Sequence, residues 1–186
     1  MRTGVARGAL GAGLVFLLTA CAAAVPSGLG QETRYIAGVP FFPQEDYYCG
    51  PAALASVLTY WGKPVSQEEV ARAIYLPHLK GTLTLDLLLY AQKSGVESRM
   101  ERGDLSLLYT RIPQGSPVIA LLNLGSDLFP VWHYLVVVGF RGSSGEIITY
   151  SGREKNKIYP AERFERMWAK SGFWTLLIRP AAAGPS

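Results

Sequence analysis

The apolar residues of this chain change their period at Pro117, and that change limits the fold more than any other feature. Before it, apolar positions recur at helical spacing between helix start and stop signals. After it come short apolar runs bounded by glycines, Pro117-Val-Ile-Ala-Leu-Leu-Asn-Leu and His133-Tyr-Leu-Val-Val-Val-Gly-Phe, which read as buried strands. In the first half, Pro51 opens a helix that stops at Gly62. Ser66-Gln-Glu-Glu69 is a capping box for a second helix running to about Ile74. A third is expected from Thr84 to Ser94 before Gly95, and a short fourth from Asp104 to before Pro113. In the second half, Arg141-Gly-Ser-Ser-Gly145 connects into a strand Glu146–Tyr150, and a polar turn after Ser151-Gly152 leads to Lys157-Ile-Tyr. A helix from about Ala161 to Lys170 precedes a last strand, Phe173–Ile178. Strands joined by short turns pair antiparallel. Helices first and an antiparallel sheet after them predict an α+β domain, with N-terminal helices packed on a C-terminal sheet.

A chain of 186 residues, 49% hydrophobic, has room for one such domain, expected over residues 35–179. Residues 1–20 read as a signal segment, because Arg2 and Arg7 precede an apolar run from Ala9 to Leu18 that is too short to span a bilayer. The run ends in Leu18-Thr-Ala-Cys21, which resembles the bacterial lipobox. The resemblance implies that Cys21 becomes the acylated first residue of the mature chain, and each buried methylene of its acyl chains contributes about 0.8 kcal/mol to anchoring. Residues 21–34, rich in Ala, Pro, Ser and Gly, are expected to form a tether, and residues 180–186 a disordered tail. With uncharged Ala22 after the cysteine, the expected location is the cell envelope, on the outer membrane facing the periplasm in a host with two membranes. Removing the signal segment takes Arg2 and Arg7 out of the formal charge of +4 and leaves +2, too small and too scattered for nucleic-acid binding.

Only Cys21 and Cys49 are cysteines, so with Cys21 acylated Cys49 is a lone thiol in an oxidising compartment. It stands immediately before Gly50-Pro51 at a helix start, where unpaired amides and the helix dipole stabilise a thiolate. A nucleophile of this kind needs a base, and the sequence holds two histidines. His78 lies in the loop Leu76-Pro-His-Leu-Lys80 and reads as a solvated surface residue. His133 opens an apolar strand, where a titratable ring is costly unless it lines a cleft. One cysteine and two distant histidines give no zinc-ligand spacing, and no glycine-rich phosphate loop is present, so no metal, ATP or other cofactor is expected.

The segments Phe42-Pro-Gln-Glu-Asp-Tyr-Tyr-Cys-Gly-Pro-Ala-Ala-Leu and His133-Tyr-Leu-Val-Val-Val-Gly-Phe together resemble cysteine peptidase family thirty-nine. These are papain-like peptidases that remove double-glycine leader peptides from bacteriocins. The resemblance runs from about Val39 to Trp174 and implies a papain-like fold and a peptide or protein substrate. It places the nucleophile on Cys49, the general base on His133 and the oxyanion-hole glutamine on Gln44. The family's third catalytic residue is an aspartate or asparagine one strand after the histidine. Here Ser151-Gly152 occupies that place, which makes Ser151 the candidate for orienting the imidazole, with Asn123 next in line. Members that process bacteriocins are usually fused to a transporter and an ATPase, so a lipid-anchored form points to another envelope substrate. Two alternatives share the fold: a peptidoglycan-type amide hydrolase or acyltransferase, which usually carries a serine-bearing motif at the nucleophile, and a non-catalytic module that holds a peptide in the cleft. The loop Asp127-Leu-Phe-Pro-Val-Trp132 reads equally as a cleft wall or as ordinary core packing.

Overall fold

A computed structural model describes residues 1, 32–44, 47–142 and 144–181. The signal segment, Cys21 and most of the expected tether lie outside the described residues. The first helix, α1 (Cys49–Tyr60), is buried on every side from Gly50 to Leu58. An amphipathic surface helix shows one apolar face, whereas a helix apolar all round belongs in the core. It therefore lies between the sheet and two shorter helices, α2 (Gln67–Ile74) and α3 (Thr84–Lys93). The capping box on α2 is present: Ser66 Oγ accepts from Glu69 N–H at 3.2 Å, and Glu69 Oε2 accepts from Ser66 N–H at 3.1 Å. Between α2 and α3, His78 sits exposed in a single 3-10 turn.

The sheet has seven strands, all paired antiparallel: β1 (Thr33–Tyr35), β2 (Val96–Arg102), β3 (Val118–Asn123), β4 (Trp132–Arg141), β5 (Glu146–Ser151), β6 (Glu154–Pro160) and β7 (Trp174–Pro180). Their order is β2-β7-β3-β4-β5-β6, with β1 on β4. The long strand β4 is the spine. Its first part, Trp132–Val137, pairs with β3, and β1 pairs with its far end at Gly139–Arg141. Gly139 permits that approach, since a Cβ there would lie 2.6 Å from the Arg34 carbonyl oxygen. On the opposite face from α1, α5 (Ala161–Ala169) buries Phe164 and Trp168, while α4 (Leu105–Arg111) starts at an Asp104 cap.

Strand β2 and both ends of the domain differ from the sequence reading, and β6 starts at Glu154, within the expected polar turn. Strand β2 was not foreseen, because Val-Glu-Ser-Arg-Met-Glu-Arg is an edge strand whose outward positions carry charge and hide the alternation. The tether gives way to the domain two residues early, since Thr33 and Arg34 already belong to β1. All three of its residues are exposed, so no apolar signal marks it. The expected tail gives up its first residue to β7, where Pro180 pairs with Val96, and residues 182–186 lie outside the described residues. Strand β3 reaches only Leu177 there, so the missing proline N–H leaves no ladder bond unmade on that side.

Candidate active site

The first turn of α1 carries Cys49, and no side chain caps it: Tyr48 holds the N-cap position without a side-chain hydrogen bond. The amides of a helix's first turn have no intrahelical partner, and here those of Cys49 and Gly50 are directed at the Cys49 thiol. A third amide comes from Tyr134 in β4. The register that pairs Val136 with Tyr150 would set Gly152 beside Tyr134, but β5 ends at Ser151. Gly152 has turned away, and its carbonyl accepts from Gln44 N–H at 3.1 Å. The margin of β4 at Tyr134 is thus open where the thiol meets it. Gly50 fits there because it lacks a side chain: a Cβ would lie 3.2 Å from Thr82 Cβ and 3.3 Å from the Tyr134 ring.

Gln44 lines the same narrow pocket as Cys49, Tyr134, Tyr150 and Gly152. Its segment is held from two sides, by the bond to Gly152 and by buried Gln67, whose Nε2 donates to the Pro43 carbonyl at 3.2 Å. His133 and Ser151 form a second pair. Successive strand residues point to opposite faces, so Tyr134 and Val136 look toward α1 while His133 and Ser151 look the other way. There His133 Nε2 lies 2.9 Å from Ser151 Oγ, and Ser151 Oγ lies 3.3 Å from Tyr159 Oη. The two pairs meet through chain neighbours, His133 beside Tyr134 and Ser151 beside Gly152. The structure therefore brings the residues expected from the sequence to one end of the sheet but on its two faces, Gln44 and Cys49 on one and His133 and Ser151 on the other. It removes Asn123 from candidacy: Asn123 Oδ1 accepts from Gly125 and Val131 N–H, and its Nδ2 donates to the Ser126 carbonyl, which closes the β3–β4 loop. At the tip of that loop Leu128 is 85% and Phe129 79% exposed, so the loop is not core packing.

Tyr134, Gln67 and Tyr159 were not singled out from the sequence. Each acts through a contact between distant segments, and only Tyr134 carried a local signal, its place after the histidine.

The electrostatics correct one expectation, that of a thiolate already formed in the free protein. Burial pushes the Cys49 thiol up from its ordinary value, and the amides of Tyr134, Gly50 and Cys49 oppose this without reversing it. His133 is lowered to about 4, first by burial and then by the Lys157 ammonium. Neither shift involves the other group. At neutral pH the resting pair is thiol and neutral imidazole.

The lowered histidine makes stability depend on acid. The unfolded chain takes up a proton near pH 6.5 and the folded one only near 4, so the unfolded state binds more protons between these values. The contribution is fully present above about pH 6.5 and is lost as the pH falls toward 4. Between pH 7 and 4.5 this amounts to about 2 kcal/mol. Denaturant titrations at those two pH values are expected to show a drop that His133→Gln reduces by about that amount, since carboxylates contribute alike to both proteins.

This arrangement defines the class: an α+β domain of the C39 peptidase type, with a cysteine at the start of its central helix. The chain belongs to the Peptidase_C39 like family, whose model matches residues 36–175. Three solved structures show the same fold. The peptidase domain of a Streptococcus ComA, a bi-functional ABC transporter involved in a quorum-sensing pathway, is 24% identical over 77% of this chain and 99% of its own, with a TM-score of 0.62. A C39-like peptidase from Bacillus anthracis is 18% identical over 82% of this chain and all of its own, with a TM-score of 0.65. A double-glycine motif protease from an AMS/PCAT transporter, solved with its leader peptide, is 24% identical over 81% of this chain and all of its own, with a TM-score of 0.61. No curated protein matches the sequence.

Proposed function

We propose that this protein is a cysteine peptidase of the cell envelope, in which Cys49 attacks the carbonyl of a peptide bond and His133 moves the proton. The observation that carries the reading is the meeting of an uncapped helix N-terminus at Cys49, the Gln44 side chain in the same pocket, and a histidine tied to Ser151 one residue from the strand position that touches the thiol. With Nε2 on Ser151, Nδ1 is the nitrogen left for Cys49, and the reaction requires the ring to swing round the open margin of β4, since ring and thiol start on opposite faces of the sheet.

As sulfur bonds to the carbonyl carbon, the thiol proton passes to Nδ1. The oxyanion is held by the Gln44 side-chain amide and the Cys49 N–H, each donor lowering the barrier by about 3 kcal/mol. The imidazolium then protonates the departing amine, the C–N bond breaks, and a thioester remains. Water attacks it with His133 again as base, releasing the acid and restoring the thiol. Because the resting pair is neutral, the proton moves during attack rather than before it. Comparing the peptides released in the envelope of cells carrying wild-type protein and Cys49→Ala tests this reading: peptides present only with wild type support it, and identical profiles overturn it.

A peptide-holding module without catalysis is the second reading, favoured by the raised thiol and by Ser151 standing where the family carries an acid. Iodoacetamide discriminates. A peptidase thiol loses reactivity when His133 becomes alanine, whereas a merely structural one reacts at the same slow rate in both proteins.

Anchoring through Cys21 belongs to the same proposal and rests on Leu18-Thr-Ala-Cys21 after the apolar run. A clickable fatty acid is expected to label the wild type and not Cys21→Ser, and equal labelling of the two removes the anchor.

A further inference from the structure

Large apolar side chains stand in water on the loop between β3 and β4, Leu124-Gly-Ser-Asp-Leu-Phe-Pro-Val-Trp132, at the His133 end of the sheet. Besides Leu128 and Phe129 at the tip, Val131 is 55% and Trp132 50% exposed. An exposed apolar cluster of this kind marks an interaction site. The loop is braced: Asn123 holds Gly125, Ser126 and Val131, Phe129 N–H donates to Ser126 Oγ at 3.0 Å, and Leu124 N–H donates to the Val131 carbonyl at 2.9 Å. Its one charged residue, Asp127, pairs with Lys170 at 3.0 Å, and the same ammonium donates to the Gly125 carbonyl. Polar groups that already have partners lose less on leaving water, so these bonds lower the cost of dehydrating the loop. Leu128 and Phe129 project from the tip, a shape that suits a soft phase rather than an extended peptide.

We propose that this loop docks on the bilayer: Leu128, Phe129 and Val131 enter its interfacial layer, and Trp132 sits at headgroup level, where an amphipathic ring is favoured. The reach of the chain before the domain argues for this occupant. The twelve residues from Cys21 to Glu32 span at most about 40 Å. They lead into β1 at the Arg141 end of β4, and Trp132 lies about 30 Å back along that strand. With Cys21 acylated, a domain standing or leaning on the loop keeps Thr33 within that reach of the lipid. The placement rests on the anchor given under the proposed function. It turns the His133 end of the sheet toward the membrane, so that the substrate is polypeptide lying at the membrane surface.

The experiment is photo-crosslinking of the full chain in the envelope of cells grown on radioactive phosphate. The photoreactive residue p-benzoylphenylalanine takes the place of Phe129 or, as a reference, of Glu162, an exposed residue of α5 beside Gly145 at the other end of the sheet. A diacylglycerol on Cys21 carries no phosphorus, so phosphate on the irradiated protein reports phospholipid. Label at position 129 is expected to exceed that at 162 by about tenfold or more. Leu128→Asp changes a side chain already in solvent, so it is expected to keep the thermal transition of wild type while lowering the label at 129 about fivefold. Equal label at the two positions, no label, or cross-links from 129 to a peptide or to a second copy of the chain overturn the proposal. The readout needs no cleaved peptide, so it stands apart from the peptidase reading. Fatty acid on Cys21 without phosphate at 129 keeps the anchor and overturns the docking loop, whereas phosphate at 129 without fatty acid on Cys21 supports the loop and removes the anchor.

Discussion

Cys49→Ala is expected to lower turnover of any cleaved peptide by on the order of 10⁴-fold or more, to the level set by binding and the oxyanion donors alone. The size follows from the absence of a substitute: among the described residues Cys49 is the one free cysteine, and α1 presents no other nucleophile at its uncapped end. The same substitution is expected to leave the fold intact, because alanine suits a helix start and the methyl group fits within the space the thiol leaves. Gln44→Ala forms the useful contrast. It keeps the nucleophile and loses one oxyanion donor, so kcat is expected to fall about 10²-fold with KM little changed. Steady-state kinetics on both variants, with circular dichroism to verify folding, checks the pair. Activity in Cys49→Ala above a hundredth of wild type would remove the thiol from the chemistry.

The largest stability effect is expected at Trp168. Its side chain is fully buried and stacks edge-to-face with Phe164 and Phe173 at centroid distances of 5.4 and 5.6 Å. Its Nε1–H donates to the Trp174 carbonyl at 2.9 Å, and a Cβ on Gly103 would lie only 2.5 Å from its ring. Trp168→Ala empties this space and strands a carbonyl acceptor, and truncations of this kind cost about 3–5 kcal/mol. For a domain of this size that lowers Tm by on the order of 10 °C. Differential scanning calorimetry checks it, and a fall below about 3 °C would mean that the sheet collapses onto α5 and heals the cavity.

Much of the fold was legible because α1, α2 and α4 carry local chemical marks. Pro51 lies in the first turn of α1 and Gly62 follows its end, Ser66 and Glu69 cap α2, and Asp104 accepts from Leu107 N–H at 2.6 Å to open α4. Strands β3 and β4 were legible because they are buried on both faces and read as apolar runs, and β5 because the turn Arg141–Gly145 leads into it. What escaped was set by pairing rather than composition: β1 and β2 are recruited by the edges of β4 and β7, and nothing in Thr-Arg-Tyr announces a strand. The site divides in the same way. Cys49 and His133 stand at element starts, where unsatisfied groups gather, and could be read from position. Ser151 followed from the family resemblance, which puts the orienting residue one strand after the histidine. Tyr159 and Gln67 could not be found so, because their contacts depend on how β6 and α2 dock. The expected thiolate failed because a helix terminus was weighed without the burial that a centrally placed α1 imposes.

The attachment of β1 has a mechanical consequence. The chain preceding Thr33 enters the domain at the Arg141 end of β4, eight residues and about 26 Å along the strand from His133. A pull transmitted through that segment falls first on three pairs between β1 and β4, at Gly139, Phe140 and Arg141. The pairs between Trp132 and Val137 that set His133 against β3 lie beyond this point and carry none of the load until β1 has peeled away. Strand β1 thus behaves as a shear pin: it can yield while the His133 end of the sheet keeps its register.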